Sequence, residues 1–121
     1  MPVPILKQGD TLIASVVAAL TDEDLVQLRD DLAQRIGQVR ARNVVIDVTA
    51  LDVLDSFASR TLRGIAYTAK LRGAETVIVG IQPEVAMAMV QLGLTMEGVA
   101  TALDLEEGLA LLATLRRRHG E

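Results

Sequence analysis

The sequence predicts an α/β fold, a mixed and mostly parallel β-sheet opened by a β-hairpin and packed with about four α-helices. Three observations predict it. The runs N-V-V-I-D-V at 43–48 and E-T-V-I-V-G at 75–80 are rich in β-branched residues with few polar interruptions, as strands covered on both faces are. Segments of helical periodicity alternate with these runs, which is the pattern of a parallel sheet whose crossovers supply its cover. At the start, I-L-K-Q at 5–8 and T-L-I-A-S-V at 11–16 flank Gly9-Asp10, two short strands joined by a tight turn in which Gly supplies the unusual backbone angles.

Each later element has its own signals. Thr21 is an N-cap, and Asp22, Glu23 and Asp24 fill a first helical turn where carboxylates favour the helix dipole. Leu25, Leu28, Leu32 and Ile36 recur on one face of that helix, and Gly37 marks its end. After the strand at 43–48 the pattern turns helical again over 57–72. Phe57, Ile65 and Ala69 face the sheet, Arg60, Arg63, Tyr67 and Lys70 form a second, basic face, and Gly73 is the stop signal. Pro83 suits the first turn of a helix carrying Val85, Met89, Val90 and Leu92, ended by Gly93. V-A-T-A at 99–102 reads as a short strand. Asp104 and Glu107 have capping-box spacing before a helix face of Leu105, Leu109, Leu112 and Leu115. The predicted order is β-β-α-β-α-β-α-β-α, and 121 residues fit one domain, 1–121, with a substantial core.

Composition removes several function classes. With no cysteine there is no disulfide framework, thiol nucleophile or thiolate metal site. The only histidine, His119, stands almost at the C-terminus, so His-based acid–base or triad chemistry has little to draw on, and we expect no metal and no cofactor. A formal net charge of -4, with one Tyr and one Phe, argues against nucleic acid as a partner, and Arg116-Arg117-Arg118 reads as cations at a helix C-terminus. The apolar stretch from Leu12 to Leu20 is too short for a membrane span, so a cytoplasmic protein without membrane contact is expected. Half of the residues are hydrophobic, which makes self-association a reasonable expectation.

The glycines form neither a phosphate-binding loop ending in Gly-Lys-Ser/Thr nor a G-x-G-x-x-G turn, and no G-x-S-x-G elbow surrounds Ser15, Ser56 or Ser59. A non-enzyme is therefore expected. Asp47 near a strand end invites a receiver-like phosphotransfer reading, but the early acidic pair that would hold a divalent ion is missing, since 5–15 contains only Asp10. The leading site is Ser56 in L-D-V-L-D-S-F at 51–57, a hydroxyl between an acidic loop and a helix start, where free N–H groups and the dipole favour a phosphate. Ser56 or Asp55 can instead simply cap the helix, which stabilises it by roughly 1 kcal/mol. A phosphate there would be attracted by the helix terminus and repelled by Asp52 and Asp55. Ser59 and Thr61 are competing acceptors.

The hairpin start, the V-V-I-D-V strand, the D-S-F turn opening a helix, and V-I-V-G followed by a short helix resemble the STAS domain family along essentially the whole chain. I-L-K-Q-G at 5–9, L-D-V-L-D-S-F at 51–57 and G-I-Q-P at 80–83 are similar to its branch of small scaffold proteins of the bacterial stressosome. The resemblance implies that Ser56 is phosphorylated by a GHKL-type serine/threonine switch kinase, which the unmodified scaffold holds and the phosphorylated one releases towards an alternative sigma factor pathway. It further implies co-assembly with RsbR-type STAS sensor paralogues, as homo-oligomer or hetero-oligomeric stressosome, and a resetting phosphatase. Asp55 shapes the turn, and Phe57, Arg60 and Arg63 form a candidate kinase-docking surface. Sporulation-type anti-anti-sigma factors usually carry a small residue after the serine; the bulky Phe57 departs from that pattern and favours the stressosome branch over a free antagonist that binds an anti-sigma kinase directly.

Overall fold

A computed structural model describes residues 3–17 and 20–118. Its elements are β1 (Ile5–Gln8), β2 (Thr11–Ser15), α1 (Asp22–Val39), β3 (Asn43–Asp47), α2 (Ser56–Leu71), β4 (Glu75–Val79), α3 (Pro83–Gln91), β5 (Ala100–Ala102) and α4 (Leu105–Arg118). The sheet order is β1-β2-β3-β4-β5. β1 and β2 form the antiparallel hairpin, with Ile5 opposite Ala14 and Gln8 opposite Thr11, and the other pairings are parallel. The expected element order and mixed sheet are those observed.

Parallel strands added in sequence order by right-handed crossovers collect their helices on one face. Accordingly α1, α2 and α3 pack with Leu12, Ala14, Val44, Ile46 and Ile78 in one core layer. The opposite face has Ile13, Val45, Val77 and Val79 against Leu112 of α4. Alternate residues of β2, β3 and β4 thus serve different layers, the period-two consequence of the pleat. Arg116 at the end of α4 ties that helix back to the hairpin turn through Asp10, with Nη1 3.2 Å from Oδ2.

Helix α1 is capped as its sequence predicts. The Thr21 hydroxyl accepts from the Asp24 N–H at 3.1 Å, and the Asp24 carboxylate accepts from the Thr21 N–H at 3.0 Å. This backbone donor holds the Asp24 carboxyl below the usual carboxylate range. A lowered folded pKa means that the cap's contribution is present above the ordinary pKa of the group and is lost as pH falls through the folded value.

Several expectations are corrected. Gly37 does not end α1: the helix continues to Val39, and Arg40 takes the left-handed cap with φ 52°. A side chain at 37 would meet only the guanidinium end of Arg72, which can move aside. Helix α2 starts at Ser56, and its buried face is Ala58, Ser59, Leu62, Ile65, Ala66 and Ala69. Phe57 lies off that face and is only half-buried. On α3, Val85 and Met89 are buried, whereas Val90 and Leu92 are 77% and 69% exposed. Leu105 is exposed as well, and the buried first-turn residue of α4 is Gly108. The α4 cap keeps the Asp104-to-Glu107 bond at 2.9 Å, but the Glu107 carboxylate accepts from the Leu103 N–H rather than from that of Asp104.

Gly108 lets α4 approach the sheet: a Cβ there would lie 2.7 Å from Cγ1 of Val79 and 3.2 Å from Cγ1 of Val77. Gly64, inside α2, has open space around the same position. Gly108→Ala should therefore destabilise the protein by about 1–3 kcal/mol through overpacking, and Gly64→Ala should stabilise it by roughly 0.5–1 kcal/mol through helix propensity. Urea denaturation of both variants measures the two signs, and equal effects would contradict the assigned packing of α4.

Candidate functional site

Strand β3 delivers the chain to the carboxyl edge of the sheet at Asp47, where a short knot ends the strand. The Asp47 Oδ1 accepts from the Thr49 N–H at 2.9 Å and from the Thr49 hydroxyl at 2.6 Å. The Gln82 side-chain amide, at the start of α3, donates to the Thr49 carbonyl at 2.5 Å. Gly80 follows β4 with φ 82°, and a side chain there would strike the Thr49 hydroxyl. The ends of β3 and β4 are thus stitched together, and the loop that follows starts from a fixed point. Asp47 is the last residue of β3 with its carboxylate engaged locally. Among the described residues no group of three or more His, Cys, Asp or Glu is placed to hold a metal ion. His119 lies outside the described residues.

Beyond the knot, Leu51 and Leu54 turn into the core while Asp52 and Val53 face outward. Asp55 is the N-cap of α2: its backbone is extended, with φ -81° and ψ -177°, and its Oδ1 accepts from the Ala58 N–H at 2.8 Å. The capping role that the sequence left between Asp55 and Ser56 belongs to Asp55. Ser56 is the first helical residue, exposed, and its hydroxyl makes no hydrogen bond.

The competing hydroxyls are differently placed. Ser59 is 1% exposed, with Oγ buried and unpartnered. Thr61 is partly buried and donates to the Phe57 carbonyl at 2.8 Å. Ser59 is closed to solvent within α2, and the Thr61 hydroxyl is committed to its own helix.

Two surfaces of opposite charge meet at Ser56. On the loop side a groove of about 260 Å³ runs between the start of α1 and the β3–α2 loop, floored by Leu20, Leu25, Leu51 and Ala58 and rimmed by Asp22, Asp52 and Asp55. On the helix side Ser56, Arg60, Arg63, Tyr67 and Lys70 follow one another at spacings that keep them on one face. Arg60 and Lys70 are exposed and make no hydrogen bond or ion pair, and the Arg63 Nε is buried without an acceptor. The cationic stripe is therefore unspent within the described residues. Asp55 and Ser56 stand at the start of α2, Arg60 and Arg63 follow along its outer face, and Phe57 is half-buried in the first turn. The Asp47–Thr49–Gly80–Gln82 knot was missed; its signal was the D-x-T spacing of an Asx turn.

Comparison with known proteins gives this arrangement a context. The model of the STAS domain matches residues 3–108. By sequence the chain is 26% identical over 97 residues to the RsbT co-antagonist protein RsbRA of Bacillus subtilis, covering 80% of this chain and 35% of that protein. RsbRD of the same organism is 25% identical over 108 residues, covering 88% and 39%. The chain thus spans little more than a third of the length of these two relatives, at 35% and 39%. By structure it is similar to a serine-to-glutamate variant of Moorella thermoacetica RsbS, with TM-score 0.80, 38% identity, and 95% and 97% of the two chains covered. A chain in the molecular architecture of the stressosome, described as a signal integration and transduction hub, is also 38% identical, with TM-score 0.72 and 94% and 99% covered. The unphosphorylated anti-sigma factor antagonist SpoIIAA shares the fold at 16% identity and TM-score 0.66, with 98% and 99% covered.

The hydrogen-bond pattern separates the two residues of the turn. Asp55→Ala should cost about 1 kcal/mol by removing the α2 cap, whereas Ser56→Ala should stay within roughly 0.5 kcal/mol of the parent. Chemical denaturation distinguishes them, and a Ser56→Ala loss as large as that of Asp55→Ala would move the cap to Ser56.

Proposed function

The chain belongs to the STAS domain family, and we propose that it is a non-catalytic stressosome scaffold and phospho-switch with Ser56 as the phosphate acceptor. The unmodified protein holds a GHKL-type serine/threonine switch kinase, and phosphorylation releases it, controlling an alternative sigma factor or related stress signalling in the cytoplasm. The observation that carries this reading is the exposed, unbonded Ser56 hydroxyl at the head of α2 and of an unpaired cationic stripe. A hydroxyl that contributes nothing to the fold can be modified without unfolding it. The 38% identity to RsbS and to the stressosome chain, each over nearly its whole length, supports the scaffold role over that of a free antagonist. The relatives RsbRA and RsbRD are co-antagonists of RsbT, which supports a chain that works by holding a partner and by assembling with RsbR-type paralogues.

The chemistry belongs to the kinase. The Ser56 oxygen forms a bond to the γ-phosphorus of ATP, the bond to the β–γ bridging oxygen breaks, ADP leaves, and the hydroxyl proton passes to a base of the kinase. A separate phosphatase resets the serine by hydrolysis. Before modification, the surface formed by Phe57, Arg60 and Arg63 docks the kinase, with Asp55 holding the turn in shape.

Intact-mass analysis after incubation with the cognate kinase and ATP should show one phosphate on the parent chain and none on Ser56→Ala, while Ser59→Ala is modified like the parent. Phosphate uptake by Ser56→Ala at the parent's rate would remove Ser56 from the proposal. Mixed with an RsbR-type paralogue, the chain should elute in a large particle on size exclusion; a chain that stays a monomer or dimer would point to a free anti-anti-sigma factor.

A further inference from the structure

The Ser56 turn divides opposite charges, and this asymmetry determines where a phosphate would go. On the loop side stand the carboxylates of Asp52 and Asp55, the latter already accepting the Ala58 N–H. On the helix side Arg60 follows Ser56 by four residues, exposed and without a hydrogen bond or ion pair. A phosphoserine carries roughly -1.5 to -2 charges near neutral pH. The loop carboxylates repel such a group, while a guanidinium one helical turn away offers it a planar fork of donors. An anion N-terminal to a cation at i,i+4 is the favourable order on a helix. Arg63 lies seven residues on, a rise of about 10 Å, which puts it beyond direct pairing.

We propose that Arg60 is the phosphate-reading residue of this protein, pairing in cis with phosphorylated Ser56. The inference rests on Ser56 being the acceptor and adds how the modification is read. Before phosphorylation Arg60 heads the cationic stripe and is available to an acidic surface of the partner. Afterwards its charge is consumed by the internal pair, and the stripe presents a net anion at the end nearest the turn. Partner release then follows from a local change of charge, with no rearrangement of the sheet.

The test installs phosphoserine at position 56 of the full chain by genetic incorporation and follows its second ionisation by phosphorus NMR against pH. In the parent this ionisation should fall below its value in the same chain unfolded in urea, because Arg60 and the helix start both stabilise the dianion, and the difference between the parent and Arg60→Gln isolates the share of Arg60. Arg60→Gln should raise it by about 0.2–0.4 of a unit, Arg60→Lys should retain most of the shift, and Arg63→Gln should leave it unchanged. Equal ionisation in the parent and Arg60→Gln would overturn the proposal, as would Arg60→Lys matching Arg60→Gln, or Arg63→Gln matching it. Because the phosphate is built in, these outcomes do not depend on which hydroxyl the kinase selects; an error in that assignment appears in the intact-mass experiment instead.

Discussion

The burial of β3 on both faces is the constraint from which the rest of the molecule follows. Val44, Val45 and Ile46 are each 0% exposed, and they feed two different core layers in alternation. A slip of one residue would exchange those layers and turn every side chain to the wrong face, so the register is strongly held. It is held on both flanks, with Val44 opposite Leu12 on one side and Thr76 on the other. The point at which the chain leaves the sheet is therefore fixed at Asp47, and the loop that carries Asp55 and Ser56 begins from a rigid edge. If Ser56 is the phosphate acceptor proposed above, a partner that binds it meets one surface rather than an ensemble.

The edge is reinforced where the strands end. The Asp47 carboxylate is used up by Thr49, Thr49 by Gln82, and Gly80 is left without a side chain so that Thr49 can sit against it. These contacts connect the β3–α2 loop to the start of α3 through residues far apart in sequence. The same bonds bear on the receiver-like reading of Asp47: a carboxylate that accepts two local hydrogen bonds is the structural end of a strand. Acidic character in this region is thus divided between two tasks, Asp47 and Asp55 holding backbone geometry and Asp52 supplying surface charge.

Where the sequence was a sufficient guide, the controlling physics was local. The β-branched runs at 43–48 and 75–80, the Thr21 N-cap, the Gly9-Asp10 turn and the leucine face of α1 all depend on neighbours within one or two turns of chain, and all appear as expected. Where it misled, the backbone path or a distant contact decided the matter. Gly37 resembles a helix stop, but α1 runs on to Val39 and takes its left-handed cap at Arg40. Gly108 looks like a weak point in a helix, but a side chain there would press into Val77 and Val79. Phe57 has the hydrophobicity of a core residue, yet the buried stripe of α2 runs through Ala58, Leu62, Ile65 and Ala69, and position 57 falls off that face once the helix starts at Ser56. At the candidate site the hydroxyl and its flanking charges were legible. The division between a capping Asp55 and an unbonded Ser56 was not, since either residue has the chemistry of a cap and only the backbone path selects one.

That division would let the proposed phosphorylation add roughly -1.5 to -2 charges at a helix start without endangering the fold. The α2 cap is supplied by Asp55, the core beneath the first turn by Ala58 and Leu54, and the loop anchor by Thr49 and Gln82. None of these depends on the Ser56 hydroxyl. Adding a phosphate therefore changes the balance between the acidic rim and the cationic stripe, while the hydrogen bonds that hold the turn remain in place. Had Ser56 been the cap, modification would have competed with the α2 N-terminus for the same oxygen, and signalling would have been coupled to partial unfolding. In the proposed switch, placing the cap one residue earlier would separate stability from signal, because the oxygen that is modified is not the one that holds the helix start.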